Sequence, residues 1–147
     1  MGLWDWTLEA YNRPGVAQAC LTLQDDHNLN TSLLLWVVWA RGPHDQALAQ
    51  AVALTRRWDA TVLSPIRVIR RAMKTSTPGV DDQARESLRE DIKAAELRAE
   101  RVLMESLEQI PGPGGERSPA DALAAAAAAW GAAPCDRALA TLAATLD

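Results

Sequence analysis

Residues 31–41, TSLLLWVVWAR, are apolar on every side, and this segment constrains the fold more than any other. A run this short fits either a buried strand or a buried helix on periodicity alone. The rest of the chain decides the matter. No other segment alternates in the two-residue period of a strand, and a lone buried strand would leave its backbone groups unpaired. The reading is a central helix packed on all sides by others, in an all-α protein.

The remaining segments supply the neighbours. Residues 3–11 read as a short helix with Trp4, Leu8 and Tyr11 on its inner side. Pro14 stands in the first turn of a second helix, whose face is Val16, Ala19, Cys20, Leu23 and His27. Asn30 is the expected N-cap of the central helix. After Gly42-Pro43 comes a helix with an inner stripe of Ala47, Ala51, Leu54, Trp58 and Val62. Ser64-Pro65 is then expected to restart the chain as cap and first residue of another helix, SPIRVIRRAMK. The longest helix runs from Asp81 or Asp82 to about Ile110, with a seam of Leu88, Ile92, Ala95, Ala99, Leu103, Leu107 and Ile110.

These elements make a single bundle of about six helices over residues 1–110. A Pro/Gly linker follows at 111–119, then an Ala-rich helical tail at 120–147. Because each Ala buries little area, the tail is expected to be loosely packed and dispensable for folding.

Composition narrows the functional classes. Net charge is −4, which argues against general nucleic-acid binding. The longest apolar run, Leu33 to Ala40, is far short of the roughly 20 residues of a membrane span. The first residues lack the basic start of a signal peptide, so the expected location is cytoplasmic. Thirteen Arg against two Lys, with abundant Ala, fit a GC-rich bacterial genome. Two distant cysteines, Cys20 and Cys135, make neither a disulfide scaffold nor a zinc site, and neither metal nor cofactor is expected. The phosphate-loop, metalloprotease and nucleophile-elbow motifs are absent, which argues against an enzyme.

Positive charge is concentrated in one stretch. Residues 56–74 carry six basic groups and a single acid, Asp59, while the other segments are all net negative. At about 100° per residue, Arg67, Arg70, Arg71 and Lys74 share roughly a 100° arc, opposite Ile66, Ile69 and Met73. Such an arc calls for an anion over it. That anion is either this protein's own carboxylates on the acidic long helix or an external partner. Arg67, nearest the helix start, is expected to need a carboxylate, with Asp25 the first choice, while Arg70, Arg71 and Lys74 stay available. Gln24 and Asp25 are expected beside the same site. Asp25, Asp26 and His27 cannot converge on one ion, since consecutive helical residues point about 100° apart. His44 has no evident partner, and core packing explains most of the six Trp.

The quoted residues resemble a family of small uncharacterised proteobacterial proteins. The resemblance rests on Trp4, Tyr11, Pro14, Gly15 and Val16, then Cys20, Leu21, Leu23, Gln24 and Asp25. It continues through Trp58 to Pro65, Arg67, Arg70, Arg71 and Lys74. It covers about residues 3–110 and implies a domain of unknown function, with no activity attached.

The functional expectation is a non-enzymatic helical binding module whose arginine helix recognises an acidic protein or a phosphate-bearing ligand. The rivals are an enzyme on an anionic substrate, with Arg67, Arg70 and Arg71 as clamps and Asp25 or His27 as acid–base group, and a structural subunit that dimerises through residues 81–110.

Overall fold

The computed structural model describes residues 1–112 and 114–147; Pro113, in the sequence-read linker, lies outside the described residues. Eight α-helices are present, and no strand, among the described residues: α1 (Leu3–Tyr11), α2 (Val16–His27), α3 (Thr31–Trp39), α4 (Asp45–Trp58), α5 (Ser64–Ala72), α6 (Asp82–Glu108), α7 (Pro119–Trp130) and α8 (Asp136–Leu146). None of these helices is long and apolar enough to cross a membrane.

The central helix is α3. Leu33, Leu34 and Leu35 are fully buried and Trp36 nearly so, each such side chain contributing about 1.5–3 kcal/mol of transfer free energy. The helix starts where Asn30 Oδ1 accepts from the Leu33 amide at 3.0 Å. Helices α1, α2, α4, α6 and α7 all pack against it.

Helix α2 buries Val16, Ala19, Cys20 and Leu23 as the spacing implies, but it begins at Val16, so Pro14 belongs to the preceding turn. In α1 the buried residues are Leu3, Thr7 and Ala10, while Leu8 and Tyr11 are 49% and 39% exposed. The most buried face is thus rotated from the expected one, although Trp4 still packs against the core. The Tyr11 hydroxyl lies near the buried Cys20 thiol and Thr31. His44 has a partner after all: its Nδ1 accepts from the Ala47 amide at 3.3 Å and caps α4.

The chain does not stop at Ser64-Pro65. Helix α4 runs on through one π-helical turn, Asp59–Leu63, directly into α5. Pro65 has no amide hydrogen, and its ring would strike the carbonyl four residues back in a regular α-helix. The wider turn removes that clash, so proline redirects the helix here instead of opening a new one.

Helices α5 and α6 form an antiparallel hairpin held mainly by polar contacts. No residue of α5 is fully buried. The Arg85 guanidinium donates to the carbonyl of Met73 and Arg89 Nε to that of Arg70 at 3.3 Å, covering the open carbonyls at the end of α5. The seam of α6 is therefore only half apolar. Ala99, Leu103, Met104 and Leu107 are buried, whereas Leu88 is 52% exposed and Arg85 and Glu96 occupy the inner side further up.

The Ala-rich segment is core and not a loose tail. Helix α7 lies on α3 and α4, α8 lies on α2 and α7, and Leu123, Ala126 and Leu142 are completely buried. The preceding Pro/Gly stretch is docked too. The Gly114 amide donates to the Ala40 carbonyl at 3.2 Å and Arg117 to that of Arg41 at 3.3 Å. A Cβ at Gly115 would collide with the backbone of Gly42, so only glycine permits this approach.

Candidate functional site

The π-turn places Asp59, Ser64 and Arg67 on one side of the continuous α4–α5 helix. Ser64 Oγ donates to Asp59 Oδ2 at 2.9 Å, and Arg67 Nη1 stands 3.4 Å from Asp59 Oδ1. Arg67 Nε pairs with Glu96 at 3.2 Å and Nη2 with Glu100 at 3.3 Å, both on α6. Arg70 Nε shares Glu96 through its other oxygen. Two guanidiniums thus sit among three carboxylates. Burial raises the Glu100 carboxyl above its ordinary range, and the neighbouring Arg67 only partly opposes that.

These pairs correct two sequence expectations. Arg67 does take carboxylate partners, but they are Asp59, Glu96 and Glu100, not Asp25. Arg70 is not available, because the antiparallel hairpin brings Glu96 between it and Arg67. Arg71 and Lys74 are exposed, and neither has an ion-pair partner among the described residues.

A cleft of about 420 Å³ opens beside this network, and it brings together Gln24, Asp25, Arg67 and Arg71. Arg70 and Lys74 lie outside its lining. The remaining wall comes from Asn28, Leu29 and Asn30 of the α2–α3 turn, from Asp59, Ser64 and Val68, and from Trp130 at the end of α7. Asn28 adopts a left-handed conformation with φ 53°, and its carbonyl accepts from Trp130 Nε1 at 2.9 Å. The Arg56 guanidinium stacks 4.4 Å from the centre of the Trp130 ring and donates to the Trp130 carbonyl.

Sequence reasoning missed Asp59, Ser64, Asn28, Asn30 and Trp130. Asp59 carried a signal, as the lone acid in the basic stretch. Trp130 carried none beyond being an isolated large side chain in an Ala-rich segment. His27 opens on a different cleft, alongside Cys135 and Arg137, and so is separated from the one that holds Asp25. Among the described residues, no three His, Cys, Asp or Glu side chains gather as a metal site.

Fold and site together define an all-helical bundle with a polar cleft at the junction of α2, the π-turn, α5 and α7. The chain belongs to the family described as protein of unknown function (DUF2390), whose model matches residues 2–107. Helices α7 and α8, and with them Trp130, lie beyond the matched stretch. No curated protein and no solved structure gives a significant match.

Proposed function

We propose that this protein is a small-ligand binding module whose cleft takes a phosphate-bearing molecule at Arg71. The observation that carries the reading is the uncompensated charge of Arg71, a cleft-lining cation with no carboxylate partner among the described residues. Arg67, in contrast, is held by three carboxylates and serves as a fixed wall. A volume of about 420 Å³ suits a small molecule better than a protein segment. With Arg67 and Arg70 committed to Glu96, the arginine arc offers an acidic protein only Arg71 and Lys74, which favours the small ligand.

Asp25 in the same cleft repels a bare anion, so the phosphate is one part of the ligand. The other part offers hydrogen-bond donors to Asp25 and Gln24, as sugar hydroxyls do. The second carboxylate of the cleft, Asp59, is held by Ser64 and Arg67, and His27 opens elsewhere; binding without chemistry is the reading favoured.

The test is titration with inorganic phosphate and with a sugar phosphate, followed by amide shifts and by Trp130 emission. Arg71→Gln is expected to abolish the response to both. Asp25→Asn is expected to tighten inorganic phosphate and to weaken the sugar phosphate. Equal responses in wild type and Arg71→Gln would overturn the reading.

A further inference from the structure

The outer flank of α6 carries Leu88, Ala95 and Val102 at seven-residue spacing. Leu88 is 52% and Val102 38% exposed, and Ala95 is exposed as well. On a straight helix a seven-residue repeat drifts only about 20° per step, so the three form a narrow apolar stripe. At Leu88 the stripe runs into a groove of about 380 Å³ lined by Met73 and Val80, the latter 53% exposed.

One edge of the stripe carries two exposed charges of opposite sign, Asp91 and Arg98, also seven apart. Neither is ion-paired among the described residues, while nearby charges on the same helix are: Lys93 with Glu90 at 3.0 Å and Arg101 with Glu105 at 2.8 Å.

We propose that this flank binds a second copy of the chain as an antiparallel homodimer, with the two-fold axis passing at Ala95. Leu88 then meets Val102 of the partner subunit, and Ala95 meets Ala95 of the partner subunit, its small side chain allowing the helices to approach to about 8–10 Å. A two-fold axis perpendicular to the helices keeps each edge facing the same edge of the other copy. Asp91 lies about 6 Å along α6 before the axis and Arg98 about 4.5 Å after it. Asp91 therefore stands within about 1.5 Å, along the axis, of Arg98 of the partner subunit, and the pair occurs twice. A parallel in-register pairing would instead put the Asp91 and Arg98 edges on opposite sides of the helix pair, where these charges do not meet. Charge complementarity thus selects both the partner and its direction. The stripe spans about 21 Å, too short for the roughly 800 Å² per partner of a stable interface. The dimer is accordingly weak and reversible.

The experiment is sedimentation velocity of the full chain over a concentration series. Wild type is expected to shift from monomer to dimer as concentration rises. Ala95→Arg is expected to stay monomeric, with circular dichroism and melting unchanged, which separates lost association from lost folding. Asp91→Arg should weaken association at least about tenfold, and the double exchange Asp91→Arg with Arg98→Asp should restore it. A wild type that stays monomeric throughout overturns the proposal and leaves the stripe to a different protein. A double exchange no better than the single one overturns the antiparallel arrangement.

Discussion

Trp130 donates its indole N–H to the carbonyl of Asn28 at 2.9 Å, joining residues 102 positions apart. The bond ties the end of α7 to the α2–α3 turn, and the Arg56 stack on the other side of the ring clamps it to α4. The last fifth of the chain thereby helps form the cleft. Truncation after Ile110 exposes the α3 surface that α7 covers, so the shortened chain is expected to lose cooperative thermal unfolding. Trp130→Phe keeps most of the buried area and loses the hydrogen bond, for an expected cost of about 1 kcal/mol in chemical denaturation.

The Tyr11–Cys20 contact gives the fold an alkaline limit. Burial pushes the Cys20 thiol from 9.0 up to about 11 and carries the Tyr11 hydroxyl well above its ordinary range. The unfolded chain therefore releases these protons first. Stability tied to the neutral thiol is whole below pH 9, falls as pH rises, and is gone above about 11. Its size is on the order of 2 kcal/mol. Cys20→Ala is expected to flatten this part of the stability profile, measured by denaturant midpoints from neutral to alkaline pH. A profile identical to that of wild type would show that the thiol does not titrate with unfolding.

The carboxylates around Arg67 are not equivalent. Glu96 bridges Arg67 and Arg70 with a side chain only 11% exposed, so Glu96→Gln leaves two guanidiniums short of a counter-charge, at about 2–4 kcal/mol. Glu100 has a raised carboxyl, so its contribution is whole at low pH and declines as pH rises through its folded-state value. Glu100→Gln is expected to cost less than about 1 kcal/mol at neutral pH, because removing the half-buried charge offsets the lost pair. Thermal melts of the two variants at neutral pH compare them directly.

How much of this was legible in the sequence depended on what each residue packs against. Helix α3 was readable because an all-apolar segment has only one place to go. The arginine arc of α5 was readable as a charge anomaly, while only Arg67 and Arg71 of it share a cleft with Gln24 and Asp25. The partner of Arg67 was not. Ser64-Pro65 carries the signature of a helix start, whereas here proline widens a continuing helix by one π-turn and aims Asp59 at Arg67. The tail was misjudged for a different reason. Ala buries little area itself, but its small side chain lets α7 lie close on α3, where much of the buried area belongs to the Leu and Trp side chains of α3.

Arg67 and Arg71 are four residues apart on one helix and are expected to respond oppositely to the same change. Arg67→Gln strips the counter-charge from Asp59 and Glu100 and leaves Glu96 with Arg70 alone, and these carboxylates are partly buried with side chains 26%, 28% and 11% exposed. Stranded carboxylates repel one another and cannot fully rehydrate, so a loss of about 2–4 kcal/mol is expected. The loss should shrink in acid, where protonation removes the stranded charge. Arg71→Gln breaks no ion pair among the described residues and relieves repulsion from Arg67, so stability is expected to hold within about 0.5 kcal/mol or rise slightly. Added phosphate then divides the two again. It is expected to raise the melting temperature of wild type and leave that of Arg71→Gln unmoved, with Arg67→Gln still responding from its lower baseline. If both substitutions lose equal stability, Arg71 is a structural residue, and the cleft has no free cation to offer a ligand.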